Sequence, residues 1–208
     1  MAQIYDRFMQ RSEEQCLRAW REALLRPLEG SVLEVGAGTG ANLALYPATL
    51  ERLVLTEPDG AMRRKLERRA RELGRDVRVL DAPIERLPFE AASFDALVST
   101  LVLCSVRRQD EALAEMKRVL KPGGRLVFIE HVAAEPGARR RAWQGRLEPF
   151  WRRIAGNCHL TRETAEAIGA AGFVLDSCTR ESMRKALPFL RPSVRGVARK
   201  PSSANAAP

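Results

Sequence analysis

Residues 33–40 read LEVGAGTG, and an acid, Glu57, stands at the end of the next apolar run. Glycine at 36, 38 and 40 puts left-handed backbone within reach at alternate positions just after a strand, a turn at which a ligand can approach bare backbone. The acid lies about 20 residues on, where a carboxylate ending the following strand holds a ribose in nucleotide-binding α/β folds. Together they predict a cofactor site at the carboxyl ends of parallel strands. Spacing leaves the cofactor itself open, because Gly36, Gly38 and Ala41 also satisfy the G-x-G-x-x-G/A pattern of dinucleotide-binding proteins.

The rest of the chain supplies a sheet for that turn. SVLEV (31–35), RLVLT (52–56), VRVLD (77–81), FDALVST (94–100) and RLVFIEHV (125–132) read as strands separated by helical segments. The glycine turn is expected to open a helix that runs toward Tyr46 and stops near Pro47. Asp59 suits the N-cap of a helix lasting to about Leu73 and closed by Gly74, and a further helix covers about Gln109 to Leu120 before the KPGG punctuation. The first 27 residues read as one or two helices ended by Pro27, with Ile4, Phe8, Leu17, Trp20, Leu24 and Leu25 available for an apolar face. After His131 come an Arg-rich, Trp-containing segment from Pro136 to Ile154 and a helix in LTRETAEAIGAAGF that Thr161 can cap. A late strand, FVLDSCTR, and a final run, VRGVARK, follow. Thr164 stands where a capping box needs glutamate or glutamine. Alternation of this kind predicts an α/β sheet wound on both faces.

At 208 residues the chain fits one such domain. Its formal charge is +9, with basic residues gathered at Arg63 to Arg75, Arg139 to Arg153 and Arg180 to Lys200. Such a surface can draw nucleic acid, anionic lipid or an acidic substrate. In the first cluster Glu67 and Glu72 interleave at helical spacing, as on a solvated helix face. Cys16, Cys104, Cys158 and Cys178 form no C-x-x-C pair and His131 and His159 are the only histidines, so reduced thiols and no metal site are expected. No uncharged apolar run reaches the roughly 20 residues of a membrane span, and the N-terminus lacks the order of a signal peptide, so a cytoplasmic chain is expected. The tail PSSANAAP, 201–208, is expected to be disordered.

Taken in order, LEVGAGTG, Glu57, the Asp81-Ala82 pair before LPF, SFDALVST and LKPGGRLVFIE resemble a class I S-adenosylmethionine-dependent methyltransferase over residues 31 to 132. A hydride-transferring dehydrogenase explains the first two alone. The resemblance implies a Rossmann-like, doubly wound, seven-stranded mixed sheet in one domain over residues 1–200. An N-terminal helical lid at 1–28 and an acceptor-side insertion at 136–160 belong to it. It also implies S-adenosylmethionine as cofactor, S-adenosylhomocysteine as product, and no metal. The backbone around Gly36, Ala37, Gly38 and Gly40 would supply donors to the methionine end, with Glu34 near its ammonium directly or through water. Glu57, followed by Pro58, would accept from both ribose hydroxyls, and Asp81 with Ala82 would meet the adenine amino group, a helix-capping aspartate being the plain alternative. Thr100 and Leu101 would pass beside the sulfonium. Tyr5, in YDRFM, would close over the cofactor or simply pack.

A finer similarity follows. TLVLCSV (100–106), EHVAAE (130–135), Trp143 and Trp151 around Glu148-Pro149, and CHLTRE (158–163) are similar to the methyltransferase-like 7 family, whose animal members methylate alkyl thiols. It implies a small-molecule acceptor bearing a thiol. The animal proteins carry an apolar N-terminal membrane anchor absent here, and usually have aspartate in place of Glu57 and asparagine in place of His159. Relatives with similar cores methylate phospholipid amines, quinone rings or natural-product thiols; the first of these acceptors would set the basic surface on an anionic membrane. A nucleic-acid-binding module with a regulatory cofactor pocket is the non-enzymatic alternative, although the chain has no aromatic-interleaved RNA motif and no N-P-P-Y-like loop after the fourth strand. His131, ending the fifth strand, is the candidate general base or polar guide, with a structural histidine as the alternative. His159 has a similar claim, and Cys104 and Cys158 either line the acceptor pocket or pack in the core. Trp143 to Ile154 and the N-terminal helices are expected to cover the acceptor side. The oligomeric state is left open.

Overall fold

The computed structural model describes residues 2–202, with side chains from Asp6 onward. The side chains of Ile4 and Tyr5 and the tail from 203 therefore lie outside the described residues. The chain opens with a continuous helical run made of α1 (Ala2–Ser12), a π-helical turn (Glu13–Leu17) and α2 (Arg18–Leu25). The wider turn buries Cys16 and Leu17 while Glu13 pairs with Arg21 at 3.0 Å.

Strand β1 (Ser31–Val35) pairs in parallel with β2 (Arg52–Thr56) on one side and with β4 (Phe94–Thr100) on the other. Beyond β2 lies β3 (Arg78–Leu80), and beyond β4 lies β5 (Leu120–His131), both parallel. Strand β7 (Pro192–Arg199) inserts antiparallel between β5 and β6 (Val174–Ser182), giving seven strands in the order β3-β2-β1-β4-β5-β7-β6. Strand order reverses between β1 and β4, so their carboxyl ends splay open a crevice of the kind in which α/β sheets bind ligands.

Two-residue periodicity sorts the strand side chains. Leu33, Val54, Leu97 and Phe128 pack with Leu113 and Met116 of α4 (Gln109–Val119) and Ile168 of α6 (Thr164–Ala170). Their neighbours Val32, Leu53, Val98 and Val127 turn the other way, onto Leu25 of α2 and onto Leu66 and Ala70 of α3 (Gly60–Glu72). Helix α5 (Arg139–Ile154) leaves the carboxyl end of β5. Among the described residues no helix is long and apolar enough to cross a membrane.

Three local expectations are corrected. No regular helix follows the glycine turn: bonds from Gly40 N–H to the Ala37 carbonyl (3.0 Å), Leu43 to Gly40 (3.1 Å) and Leu45 to Asn42 (2.8 Å) wind it as tight turns ending in a 3-10 segment (Leu43–Leu45). Gly40 at φ +85 breaks the helical path, and the Asn42 side chain is drawn into the core. Thr161 does not cap α6, which starts at Thr164 behind Glu163 without a side-chain cap; the Thr161 hydroxyl instead donates to Glu148 at 2.6 Å. Asp59 does cap α3, accepting from Ala61 (2.9 Å) and Met62 (2.8 Å). Strand β5 starts five residues before the expected 125, at Leu120, because Gly123 N–H bonds to the Lys200 carbonyl and carries KPGG into the sheet.

Candidate cofactor and acceptor site

The three glycines of the turn have different duties. All are left-handed, at φ +58 (Gly36), +57 (Gly38) and +85 (Gly40). A Cβ at Gly36 would lie 2.7 Å from Val102, and one at Gly40 2.8 Å from Leu66, so both are held by packing. Among the described residues a Cβ at Gly38 would meet nothing within 4 Å, which leaves space for a ligand over that residue. The Gly38 N–H donates to Glu57 Oε2 and the Asp59 N–H to Oε1, both at 2.8 Å. Each Glu57 oxygen thus keeps a lone pair for a ligand hydroxyl. Burial raises the Glu57 pKa, against the pull of those two amides. The amides of Ala37, Gly38 and Gly40, read from sequence as ligand donors, are engaged within the chain, with Ala37 donating to the Thr56 carbonyl at 2.9 Å. Asp6 ties α1 to the glycine turn and to α3, accepting from the Thr39 hydroxyl at 2.7 Å and pairing with Lys65 of α3.

Glu34, 2% exposed, accepts from Asn42 Nδ2 at 2.7 Å and from the Tyr46 hydroxyl at 2.8 Å. Asn42 and Thr100 in turn accept from Arg21 at 2.8 and 2.9 Å. Burial pushes the Glu34 carboxyl up to about 7, opposed by its Tyr46 and Asn42 hydrogen bonds. At the β3 end Ala82 is buried and Asp81 is exposed, paired with Arg63 at 2.9 Å. Arg63 also donates to the Glu57 carbonyl at 2.8 Å, so it ties the two carboxylate positions together beside Pro58. No helix starts at Asp81, which removes its capping alternative.

Beyond β4 the backbone kinks. Leu101 sits at φ +61, a left-handed conformation costly for a leucine, with its N–H on the Ile129 carbonyl at 2.7 Å. Glu130, fully buried, fixes the next turn by accepting from the Ser99 hydroxyl (2.8 Å) and from the amides of Val102 (3.2 Å), Leu103 (3.0 Å) and Cys104 (3.1 Å). His131, beside it, is 7% exposed; burial lowers its pKa to about 4, against a weak pull from the Leu190 backbone. Its Nδ1 has no partner among the described residues.

On the cover, Glu148 of α5 gathers the segment that follows the helix. It accepts from the Leu160 amide (3.0 Å) and the Thr161 amide (2.9 Å) and meets His159 Nδ1 at 3.2 Å. Cys104 and Cys158 are buried, joined where the His159 N–H meets the Cys104 carbonyl at 2.8 Å. The neighbouring Cys158 thiol and burial push the Cys104 thiol up. Trp151 packs edge-on against Phe189 at 5.1 Å, next to the Leu190 that neighbours His131. Arg162 reaches the carbonyls of Leu103 and Val106 (the latter at 2.6 Å) and sets a positive charge beside the same turn. Among the described residues no three His, Cys, Asp or Glu side chains gather as a metal site.

Sequence reasoning missed Asp6, Arg21, Asn42, Tyr46, Glu130 and the Glu148 hub. One signal for two of these networks was present: an acid inside an apolar strand, as in LEV and FIEH, must find donors when buried.

A doubly wound sheet with a glycine turn stapled to an acid at the end of β2 defines a Rossmann-like cofactor-binding fold. Residues 33–128 match the methyltransferase domain family. The chain is 39% identical over 150 residues to thiol S-methyltransferase TMT1B of Rattus norvegicus, covering 70% of this chain and 60% of that protein. It is 31% identical over 162 residues to a demethylmenaquinone methyltransferase of Thermobifida fusca, covering 74% and 69% respectively. Its fold matches geranyl diphosphate C-methyltransferase from Streptomyces coelicolor, solved with S-adenosyl-L-homocysteine, at a TM-score of 0.70 and 18% identity, over 90% of this chain and 81% of that one. The chain belongs to the class I S-adenosylmethionine-dependent methyltransferases, and S-adenosylmethionine is the cofactor of that class. It spans 60% of the length of the rat thiol methyltransferase.

Proposed function

We propose that this chain methylates the sulfur of a small thiol, and that the positions named from sequence hold the methyl donor. Glu57 accepts from the two ribose hydroxyls through its remaining lone pairs. The clear space over Gly38 takes the methionine end, flanked by Gly36, Ala37 and Gly40. Glu34 acts there through Asn42 and Tyr46, since both its oxygens are engaged. Asp81 and Ala82 receive the adenine edge beside Pro58, and Thr100 and Leu101 border the reacting centre. When bound, S-adenosylmethionine supplies a methyl group on a sulfonium.

The observation that carries the acceptor reading is the unpartnered Nδ1 of a buried, neutral His131 at the mouth of β5. The thiol methyltransferase relatives favour sulfur as the atom it faces. A thiol has a pKa near roughly 8.5, and His131 about 4. Deprotonating the resting thiol would therefore cost about 6 kcal/mol. His131 instead accepts a hydrogen bond from the S–H and aligns the sulfur. Transfer would break the donor's S–CH3 bond as the new one forms, leaving S-adenosylhomocysteine; the acceptor sulfur would then carry the positive charge, and its proton would move downhill to Nδ1 and then to water. The cover formed by residues 136–160 and the N-terminal helices of 1–28 keeps the displacement aligned and screened from water.

Transfer of a labelled methyl group is to be screened over alkyl thiols, amines, quinols and lipids. Label in thiols supports the reading; label confined to a phospholipid amine or a quinone ring overturns it. His131→Asn should lower turnover with the thiol by about 100-fold while leaving cofactor binding intact.

A further inference from the structure

We propose that the outer face of α5, joined by Phe8 of α1, is a docking surface for an anionic lipid bilayer. Trp143, Phe150 and Ile154 recur at spacings of seven and four, which puts them within about 40° of one another around a helix turning 100° per residue. They are 58%, 63% and 52% exposed, an unusual state for side chains of this size. Phe8, 45% exposed, extends the stripe, its ring 6.4 Å from that of Trp151 in the same turn of α5.

Charge selects the occupant. Arg139, Arg146 and Arg153 recur every seventh residue along one flank of the stripe, and Arg140 lies on the other. Arg141 is tied to Glu163 and Arg152 to Asn157, whereas these four make no ion pair among the described residues. The one acid of the helix, Glu148, is turned inward onto Leu160 and Thr161. The exposed face is therefore apolar along its crest and purely cationic along its edges, the arrangement of a helix lying in a headgroup layer. A second copy would bring arginine rows against arginine rows. Single-stranded nucleic acid would gain stacking from the aromatic rings but nothing from Ile154.

Helix α5 and α1 also flank the acceptor side of the sheet. Docked in this way, the chain presents that side to the bilayer, and apolar acceptors reach it from the lipid. The surface stands independently of the thiol reading, because its test measures binding and not methyl transfer.

The test is co-sedimentation of the full chain with phosphatidylcholine vesicles, with and without phosphatidylglycerol. Binding is expected only with the anionic lipid and should weaken as salt rises. Phe150→Ala with Ile154→Ser should weaken it at least about tenfold, with an unchanged melting temperature and unchanged S-adenosylhomocysteine binding. Arg146→Glu with Arg153→Glu should weaken it by about tenfold or more and flatten the salt dependence. No binding of the wild type at low salt, or equal binding by the variants, would overturn the proposal. So would RNA binding or concentration-dependent dimerisation that depends on Phe150 while vesicles are ignored.

Discussion

Two buried titratable groups lie near the carboxyl edge of the sheet, and burial drives both toward neutrality: Glu34 on β1 up to about 7, His131 on β5 down to about 4. Their surroundings differ. Both Glu34 oxygens are engaged by Asn42 and Tyr46, in a network running through Arg21 to Thr100 and Glu13. His131 keeps one ring nitrogen without a partner among the described residues. In the proposed reading, the cofactor half completes its polar wiring inside the chain and offers a ligand shape, clear space and the spare lone pairs of Glu57. The β5 end holds a buried ring nitrogen with no partner among the described residues, and the outer face of α5 nearby is apolar and basic. A site divided in this way can grip one constant cofactor rigidly and leave acceptor choice to a few side chains.

The division is most exposed at Glu130, which holds the 102–104 turn shared by the two halves. Glu130→Ala strands one hydroxyl and three amides and should lower stability by about 3–5 kcal/mol in urea titration. A loss below about 1 kcal/mol would mean that the turn is fixed by something else.

The pH dependence separates Glu34 from His131 by sign. The folded pKa of Glu34 is raised, so its contribution is full below about 4.5 and is lost as pH rises through about 7. The folded pKa of His131 is depressed, so its contribution is full above about 6.5 and is lost as pH falls toward about 4. Each is worth up to about 3 kcal/mol. Relative to the wild type, Glu34→Gln should make stability climb more steeply between pH 5 and 7, and His131→Asn should make it fall. Parallel profiles would erase the contrast.

Smaller effects should stay on their own side. Glu148→Ala should loosen the cover by about 2 kcal/mol, read as faster hydrogen exchange at Leu160 and Thr161 with the amide of Gly38 unchanged. Asp59→Ala should remove about 1 kcal/mol through the lost cap of α3, leaving exchange in the cover as it was.

The same division sets what was legible in the sequence. A left-handed turn shows as glycine, a strand as alternating or continuous apolar residues, and a cap as Asp59; these local rules recovered strands β1, β2 and β4 and the place of Glu57. The helix expected after Gly40 failed because tertiary demand on Asn42 overrode local propensity. Thr161 went to Glu148, thirteen residues back, because a partly buried carboxylate needs donors more than a short helix needs a cap. Glu130 and Ser99 are 31 positions apart and Arg21 and Thr100 are 79 apart, separations at which no spacing rule pairs residues. The proposed acceptor chemistry rests on the resemblance of TLVLCSV, EHVAAE and CHLTRE to thiol methyltransferases, because no spacing rule reaches such contacts.

Calorimetric titration with S-adenosylhomocysteine tests the central claim, that a methyl donor sits against Glu57 at the carboxyl edge of β2. The wild type should bind, Glu57→Ala should bind about 100-fold more weakly through the loss of two charge-assisted hydrogen bonds, and Glu67→Ala on α3 should match the wild type. No binding by the wild type, or equal affinity in all three proteins, would contradict it.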